Sequence, residues 1–390
     1  MKVLMINVVC GIRSTGRICT DLATELEKQG HEVKIAYGRE QVPQQFQKYA
    51  VRIGSDFDVK FHGLKARLLD AAGFGSKRAT EKFIKWVREY DPDVIHLHNI
   101  HGYYINVEVL FKYLKTCGKK IIWTLHDCWS FTGHCVYFDY VNCSKWKTGC
   151  ENCPQKTEYP SRIGPDMSKQ NYILKKKLFT GIKNMVLVTP SQWLAELISE
   201  SYMKKYSITV IHNGIDTQSF KPMVSNVKER YGCQDKKIIL GVAAVWDKRK
   251  GLSSFIELAK RLDSSYQIIL VGMSRSQIKK MPPNITGIER TNSVEELAEL
   301  YTAADVFVNP TLEDNYPTTN IEAIACGTPV ITYKTGGSPE SAKMYGVSVQ
   351  RKNIAGLVKA IAKINQIKPG KTDVDYKSTV QKYIELYEEI

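Results

Sequence analysis

The chain has 390 residues, of which 43% are hydrophobic and 24% charged, and its net charge is +15. This composition excludes a mainly disordered chain and a collagen-like repeat, and the length predicts two domains or one large one. The apolar runs are far shorter than the ~20 residues that a membrane-spanning helix needs. No signal-peptide pattern precedes the first strand-like run, so we expect a cytoplasmic protein.

Most of the positive charge lies in residues 1–213, in clusters such as Lys65–Arg67 and Lys175–Lys177. A basic surface can serve nucleic acid, an anionic membrane or an anionic substrate, or it can simply be a solvated helix face. No helix-turn-helix, histidine-bearing zinc finger or RNA-recognition aromatic pair accompanies the clusters. We therefore expect no nucleic-acid partner. Peripheral association with the inner face of the cell membrane is a hypothesis, although no clear amphipathic anchor stands out.

Short strand-like runs rich in β-branched residues alternate with helix-like segments along most of the chain. The first series comprises residues 3–9, 31–37, 94–98, 120–125, 185–189 and 208–212, and a second series follows at 237–242, 267–271, 306–309 and 329–333. Such alternation predicts parallel sheets covered by helices.

The restart of this pattern predicts an α/β fold of two tandem Rossmann-like, doubly wound domains that face each other across a cleft. We place the first domain at residues 1–213, with a cysteine-rich insertion near 128–160. The second domain is predicted at residues 214–370, and a C-terminal helix within 371–390 is expected to pack back on the first. Ligands of such sheets bind at the carboxyl ends of the strands. Gly272, directly after a strand, occupies one such position.

The segment that follows the strand at 306–309 carries polar groups suited to a nucleotide-sugar. Asp314, Asn315 and the pair Thr318–Thr319 lead into a predicted helix that bears Glu322. Backbone N–H groups at a helix start, with the positive end of its dipole, can hold a diphosphate. Carboxylates beside them suit the hydroxyl groups of a sugar or a ribose, because one carboxylate accepts two hydrogen bonds. A capped surface helix is the alternative interpretation.

Three parts of the sequence carry a family resemblance: residues 308–340, the Gly-rich first loop and several shorter segments. Together they resemble family 4 glycosyltransferases, which are retaining enzymes of the GT-B fold. The shorter segments are 94–98, 213–216 and 250–251. The resemblance is closest to bacterial members that build capsular, exopolysaccharide or colanic-acid-type repeat units. It implies a nucleotide-sugar donor, most simply a UDP-sugar, and a lipid-linked or oligosaccharide acceptor.

The resemblance also implies roles for individual residues. Glu322 would bind the nucleotide ribose, and Asp314 or the backbone of Asp314–Tyr316 would bind the donor sugar, with Thr318 and Thr319 nearby. The family has two glutamates separated by seven residues, and the first falls here on Asp314. Since Asp is shorter by one methylene, Glu313 and Asp314 both remain candidates for the sugar contact.

The segment Asp247–Gly251 carries three consecutive cations. In the family, an Arg at the end of the preceding strand and a Lys before Gly neutralise the leaving diphosphate. Lys250 matches that Lys, whereas the Arg position falls near Ala244, so Arg249 is a candidate substitute. Preorganised cations would supply much of the catalysis without a metal cofactor. The alternative is a solvated cationic run.

In the first half, Gly11–Arg17 form a glycine-containing turn between a strand and a helix. In the family, the matching loop approaches the donor phosphates. Gly16 is therefore a candidate donor-binding residue. His126 ends a strand where the resemblance places a histidine that binds the donor sugar and takes part in catalysis. Four polar residues near the ends of this strand and of the strand before it are assigned to acceptor binding. They are Asp127, His98, Asn99 and His101. A lone histidine is more often structural, which is the competing interpretation.

Four of the ten cysteines lie close together in the predicted insertion: Cys135, Cys143, Cys150 and Cys153. Persistent disulfides are disfavoured in the cytosol, and four thiolates in a loop are typical of a structural zinc site. Their spacing is looser than that of paired zinc knuckles. Free thiols and, last, disulfides are the alternatives, with Cys128 and His134 as alternative ligands.

These observations predict a glycosyltransferase of cell-surface polysaccharide synthesis that needs no cofactor for catalysis. Two alternatives remain. One is a sugar-nucleotide epimerase of the same fold, which needs no acceptor. The other is an inactive, glycosyltransferase-like scaffold, suggested by the departures from the family pattern at Asp314 and Ala244.

Overall fold

The computed structural model describes residues 1–370 and 374–389. The chain forms two compact units, one of Met1–His212 with the C-terminal helix from Val380 onward, the other of Asn213–Thr379. The predicted C-terminal segment, residues 371–390, lies partly outside the described residues, at 371–373 and 390.

The first unit is built on a sheet of seven parallel strands. In chain order they are β1 (Lys2–Ile6), β2 (Glu32–Tyr37), β3 (Ala50–Arg52), β4 (Val94–Leu97), β5 (Lys120–Thr124), β6 (Met185–Thr189) and β7 (Ser207–Val210). Their order across the sheet is β3-β2-β1-β4-β5-β6-β7. The chain thus proceeds from β1 to one edge and returns to continue on the other side, which places a switch point between β1 and β4.

Among the described residues, seven helices contribute to this unit. They are α1 (Arg13–Lys28), α2 (Asp56–Leu69), α3 (Lys77–Tyr90), α4 (Val107–Leu114), α5 (Ser168–Phe179), α6 (Gln192–Glu200) and the C-terminal helix, numbered α14 (Tyr376–Glu389). Short 3-10 turns at Trp129–Phe131 and Lys145–Lys147 are the helical elements of the cysteine-rich insertion. The insertion therefore carries little regular structure of its own.

The second unit repeats the plan with six parallel strands. They are β8 (Lys237–Val242), β9 (Tyr266–Val271), β10 (Ile285–Ile288), β11 (Val306–Asn309), β12 (Val330–Tyr333) and β13 (Gly346–Val349), in the order β10-β9-β8-β11-β12-β13. Its helices are α7 (Val227–Arg230), α8 (Leu252–Ala259), α9 (Arg275–Ile278), α10 (Val294–Ala303), α11 (Thr318–Ala325), α12 (Ser338–Ala342) and α13 (Ile354–Ala362).

Both faces of this second sheet are buried. Ile238 and Leu240 of β8 pack into one apolar cluster, whereas Ile239 between them packs into another on the opposite face. Because successive strand side chains point to opposite faces, a strand covered on both sides needs a continuous apolar run, and that run is what made β8 recognisable. The α/β class and the two tandem parallel sheets are confirmed.

The C-terminal helix is attached to the first unit by two tyrosines. The Tyr387 hydroxyl hydrogen-bonds with Nδ1 of His96 at 2.7 Å, and that of Tyr383 hydrogen-bonds with the Thr124 hydroxyl at 3.0 Å. All four side chains are buried. The end of the chain is therefore held by specific polar contacts as well as by apolar packing.

We predict that Tyr387→Phe lowers the free energy of unfolding of the first unit by about 1–3 kcal/mol, because it leaves a buried His96 nitrogen without its partner. Urea denaturation followed by circular dichroism measures the change. Tyr266→Phe, a half-buried position in the second unit, is the control and should be near neutral. Equal stabilities of wild type and Tyr387→Phe would contradict the structural importance of this bond.

Candidate functional site

Two loops of the second unit lie side by side because the strands that precede them, β8 and β11, are paired. Lys250 Nζ lies 2.6 Å from Asp314 Oδ2. The Arg249 guanidinium donates a hydrogen bond of 3.3 Å to the backbone carbonyl of Glu313. The structure therefore brings four of the residues singled out in the sequence into one patch.

Asp314, rather than Glu313, directs its carboxylate at the cation. The Glu313 residue is only 6% exposed, and its carbonyl also accepts a hydrogen bond from Thr311. The backbone of Asp314 is fixed from the other side by a Gly-Gly turn: Gly337 donates to its carbonyl at 3.3 Å. A Cβ on Gly336, which has a φ of +55°, would lie 1.8 Å from the same oxygen.

Helix α11 begins directly after this loop, at Thr318. Its N-cap residue, Pro317, supplies no side-chain cap, and no acidic residue lies in the first turn. Thr318 and Thr319 are half-buried, while Asn315 and Tyr316 in the preceding loop are buried. Backbone N–H groups at the positive end of a helix dipole suit an anion, and donor binding at this end of α11 stays a prediction.

Glu322 lies one turn into α11 and is only 4% exposed. Its Oε2 accepts a hydrogen bond of 2.9 Å from the hydroxyl of Tyr301 on α10. Glu322 therefore contributes to packing between two helices in addition to any ligand contact. A substitution there must preserve the hydrogen-bond acceptor if its effect on chemistry is to be isolated.

Gly272 follows β9 with a φ of +93°, and its N–H donates to the carbonyl of Ile288 at 2.9 Å. A Cβ at this position would lie 1.7 Å from the carbonyl oxygen of Ala243. The close approach of two strand ends is enough to require glycine there, whatever else Gly272 contacts.

In the first unit, three histidines form a row across β4 and the ends of β4 and β5. His96 and His98 are buried, and His126 is half-buried. The rings of His96 and His98 are 4.0 Å apart between centroids, and Nδ1 of His98 is 3.1 Å from Nε2 of His126. Burial lowers the pKa of His96 to about 3 and that of His126 to about 4, and it holds the pKa of His98 well below its usual value. The row is therefore neutral near pH 7.

A second polar group lies beside the row. Nε2 of His101 is 2.7 Å from Asp127 Oδ2, and the N–H of Trp129 donates to Oδ1 at 2.9 Å. Burial acts to raise the pKa of Asp127, but His101 and these hydrogen bonds outweigh it, so the pKa lies below its ordinary value. His101 also lines a cavity of about 190 Å³, together with Val8, Val9, Arg13, Arg39, Glu40, Gly102 and Tyr159.

The remaining first-unit candidates have structural contacts. The Asn99 N–H donates to Asn7 Oδ1 at 3.2 Å. Gly16 is buried in α1, where a Cβ would meet Val9 at 3.0 Å and the Gly11 nitrogen at 3.2 Å. The small size of Gly16 thus allows the first turn of α1 to pack on the loop before it.

The four cysteines of the insertion all line one small cavity. Within the described residues, however, no group of three or more His, Cys, Asp and Glu side chains stands ready to hold a metal ion. His134, considered as an alternative ligand, has both ring nitrogens engaged: Nδ1 with Asp70 Oδ1 at 2.5 Å and Nε2 with the Gln155 carbonyl at 3.1 Å.

Comparison with known proteins covers both units. A family model described as Glycosyltransferase Family 4 matches residues 15–219, and one described as Glycosyl transferases group 1 matches residues 236–366. The chain belongs to glycosyltransferase family 4. It is a glycosyltransferase, as the sequence predicted.

Individual relatives extend this assignment. A putative colanic acid biosynthesis glycosyl transferase, WcaC of Escherichia coli K12, is 25% identical over 92% of this chain and 89% of its own length. An N-acetylgalactosaminyltransferase of Campylobacter jejuni that acts on N,N'-diacetylbacillosaminyl-diphospho-undecaprenol is 27% identical over 50% of this chain and 58% of its own.

Solved structures similar to this one have the GT-B glycosyltransferase fold. Sucrose-phosphate synthase from Thermosynechococcus elongatus has a TM-score of 0.71 at 16% identity, covering 100% of this chain and 98% of its own. HepE of Anabaena, in complex with UDP and glucose, has a TM-score of 0.67 at 14% identity, with 100% of both chains covered.

Sequence reasoning on this glycosyltransferase missed several polar groups. The hydroxyls of Thr335 and Ser338, which flank the Gly-Gly turn against Asp314, are buried and have no partner within the described structure. Buried polar groups normally have a hydrogen-bond partner, so these two hydroxyls are exceptions beside the Asp314 loop. The Gly-Gly-Ser-Pro-Glu segment was the available signal, since it belongs to the family resemblance. No family motif or sequence pattern indicated Arg13 and Arg39, which line the first-unit cavity.

The buried histidines predict acid sensitivity. In the unfolded chain a histidine has a pKa near 6.5, whereas burial lowers the pKa of His62, on α2, and of His126 to about 4 and that of His96 to about 3. Below pH 6.5 the unfolded state binds more protons than the folded state. The free energy of unfolding is therefore highest above that pH and falls as the pH drops toward 4. Each histidine contributes up to about 1.4 kcal/mol per pH unit.

Urea denaturation at a series of pH values between 5 and 8 measures this slope. Above pH 7 these histidines are neutral in both states and should contribute none, which provides an internal control. A stability that does not change between pH 6.5 and 5 would show that the buried row is protonated in the folded protein.

Proposed function

We propose that this glycosyltransferase transfers a hexose-type unit, with retention, from a UDP-sugar to a lipid-linked or saccharide acceptor in cell-surface polysaccharide synthesis. The observation that carries the proposal is the patch formed by Lys250, Arg249 and the Glu313–Asp314 loop at the adjoining ends of β8 and β11. It combines cations for a diphosphate with a carboxylate for sugar hydroxyls at a position where such sheets bind ligands.

The acceptor class is supported by the relatives. WcaC is named for colanic acid biosynthesis, and the Campylobacter relative is named for a diphospho-undecaprenol acceptor. A UDP donor is supported by structures of the same fold, because HepE has been captured with UDP and with UDP-glucose.

The transfer breaks the bond between the anomeric carbon and the phosphate oxygen, and the bonding electron pair leaves with UDP. The acceptor oxygen bonds to the anomeric carbon on the same face, and its proton passes to the departing phosphate. Negative charge therefore develops on the diphosphate. Lys250, Arg249 and the N-terminal end of α11 would stabilise it, so that no metal cofactor is needed.

Asp314 has two successive roles in this scheme. Before the donor binds, its carboxylate holds the Lys250 ammonium in place at 2.6 Å. With the donor bound, the carboxylate accepts hydrogen bonds from sugar hydroxyls while Lys250 turns to the phosphate. Glu322 would bind the ribose, and the neutral His126 would hydrogen-bond the sugar or its acceptor.

We further propose that the enzyme binds an anionic membrane surface through helix α2. No described helix is both long and apolar enough to cross a bilayer. On α2, however, Phe57, Phe61, Leu64 and Leu68 are all exposed, by 75%, 59%, 53% and 44%. Their spacing places them along one side of the helix, so α2 is an amphipathic helix whose apolar side faces solvent.

The opposite side of α2 explains how the helix is held. His62 is buried, and its Nε2 accepts hydrogen bonds from the N–H groups of Gly73 and Gly75 at 3.2 and 3.0 Å. Ile163, 71% exposed, extends the apolar surface, since its N–H donates to the Arg67 carbonyl at the end of the helix. We call the surface of Phe57, Phe61, Leu64, Leu68, Leu69 and Ile163 the apolar strip.

Positive charge lies along the apolar strip. Lys60 and Arg67 of α2 are exposed. Each such cation near an anionic leaflet contributes about 1 kcal/mol, and the apolar side chains add the energy of leaving water. A lipid bilayer satisfies both features, which is why we propose it as the partner of this strip.

The donor assignment predicts that UDP stabilises the protein against heat, whereas GDP, ADP and CMP do not. A ligand at 100 times its dissociation constant adds about 2.7 kcal/mol. Lys250→Gln should weaken the UDP shift and lower the transfer rate by about 10²–10³-fold. Lys248→Gln, an exposed cation of the same loop, is the matched control and should behave like wild type.

Transfer is measured with labelled UDP-hexoses and a panel of polyprenyl-diphosphate sugars and oligosaccharides, with and without EDTA. Glu322→Gln, which keeps an acceptor for Tyr301, should also abolish transfer. Conversion of the sugar nucleotide without an acceptor would identify an epimerase instead. UDP binding without turnover on any acceptor would favour a scaffold, and normal rates in Lys250→Gln would refute the site.

The membrane assignment predicts that the double variant Phe57→Ser/Phe61→Ser binds anionic phosphatidylglycerol vesicles at least about 100-fold more weakly, since each buried Phe contributes about 1.5–3 kcal/mol. Val224→Ser, at an apolar residue of the second unit that is 97% exposed, is the control. Vesicle sedimentation provides the measurement. Equal binding by the double variant, or no binding by wild type, would exclude α2 as the docking element.

A further inference from the structure

The cysteine-rich insertion contains a site that the transfer reaction does not use. Cys135, Cys143, Cys150 and Cys153 line one cavity of about 10 Å³. A space of that size holds about one water-sized sphere, so it suits a single ion and is too small for an organic ligand. Lys175 Nζ lies outside it and donates to the carbonyls of Trp129 and Thr132 at 2.8 and 3.1 Å.

The sulfur atoms already interact with one another and with the backbone. Cys135 and Cys153 are neighbours that interact electrostatically and line the same cavity. The N–H of Gly133 donates to Sγ of Cys150 at 3.2 Å. A backbone N–H donated to sulfur is a contact that a thiolate accepts more strongly than a neutral thiol. All four cysteines are free of disulfides in this structure.

We propose that Cys135, Cys143, Cys150 and Cys153 bind one structural Zn²⁺ ion in tetrahedral geometry. The thiol protons leave to solvent as four Zn–S bonds form, and no oxidant or reductant is required. Since the sulfurs of the described structure are not yet in a metal-binding arrangement, binding requires rotation of the cysteine side chains toward the cavity that they share.

The neighbouring candidates are excluded as ligands. His134 uses both ring nitrogens, as described above, and Cys128, although buried nearby, is not among the residues that line the cavity. Glu151 also lines the cavity, but its carboxylate pairs with Lys169 at 3.2 Å. The four sulfurs are a complete coordination shell for a structural zinc ion.

The location of the cavity gives the metal a structural purpose. The insertion begins directly after His126 and Asp127, and it carries only two short 3-10 turns between β5 and α5. A metal ion that joins Cys135 to Cys153 would hold this loop closed without a hydrophobic core of its own. It would thereby fix the segment that follows the end of β5.

The test uses the full-length protein, reduced and freed of metal with a chelator, and Co²⁺ as the probe. Tetrahedral thiolate coordination should produce an intense sulfur-to-cobalt charge-transfer band that saturates at one equivalent and disappears when zinc is added. Protein purified without chelator should contain about one zinc per chain, with an X-ray absorption shell of sulfur at about 2.3 Å.

Two variants distinguish the ligands from other thiols. Cys143→Ser should lose the charge-transfer band, whereas Cys117→Ser, a half-buried cysteine of the same unit outside the cavity, should retain it. If Cys143→Ser does not fold, the stoichiometry and sulfur shell of the wild type decide the question. Folded, reduced wild type that binds neither metal, an unchanged band in Cys143→Ser, or a disulfide within the set would overturn the proposal.

Discussion

Parallel pairing of the central strands is the constraint on which both halves of this enzyme depend. In the first sheet β1 lies between β2 and β4, and in the second β8 lies between β9 and β11. Parallel strands end at the same edge, so loops that are distant in sequence meet there. The Lys250–Asp314 contact and the His98–His126 hydrogen bond both join loops that follow neighbouring strands. Neither could form if the strand order were different.

The same constraint explains which strands could be predicted from the sequence. Central strands such as β1 and β8 are buried on both faces and therefore appear as continuous apolar runs. The strands that the sequence did not indicate, β3, β10 and β13, are all at sheet edges, where most side chains are only half-buried. An edge strand needs no continuous apolar run, so its composition resembles that of a loop.

Side-chain environment was harder to infer than strand position. Phe57, Phe61, Leu64 and Leu68 have the spacing of an ordinary core-facing stripe, and nothing in the sequence states that this stripe faces solvent. The helix is instead anchored by His62, Val59 and Ala66 on its other side. Likewise, the family pattern identified Glu322 but not its partner Tyr301, because the helix that supplies Tyr301 lies in a separate part of the chain. Contacts of this kind depend on how helices pack, which periodicity does not encode.

The two units place their proposed site residues in different electrostatic environments. Removal from water lowers the pKa of the half-buried His126 to about 4 and that of the buried Lys175 ammonium to about 7. A charge that must stabilise a departing diphosphate is better placed where solvent and a carboxylate support it. The Lys250 side chain is 25% exposed and lies beside Asp314, which meets both conditions. In the proposed mechanism Lys250 would therefore stabilise the developing negative charge, whereas a neutral group such as His126 would only exchange hydrogen bonds with hydroxyl groups.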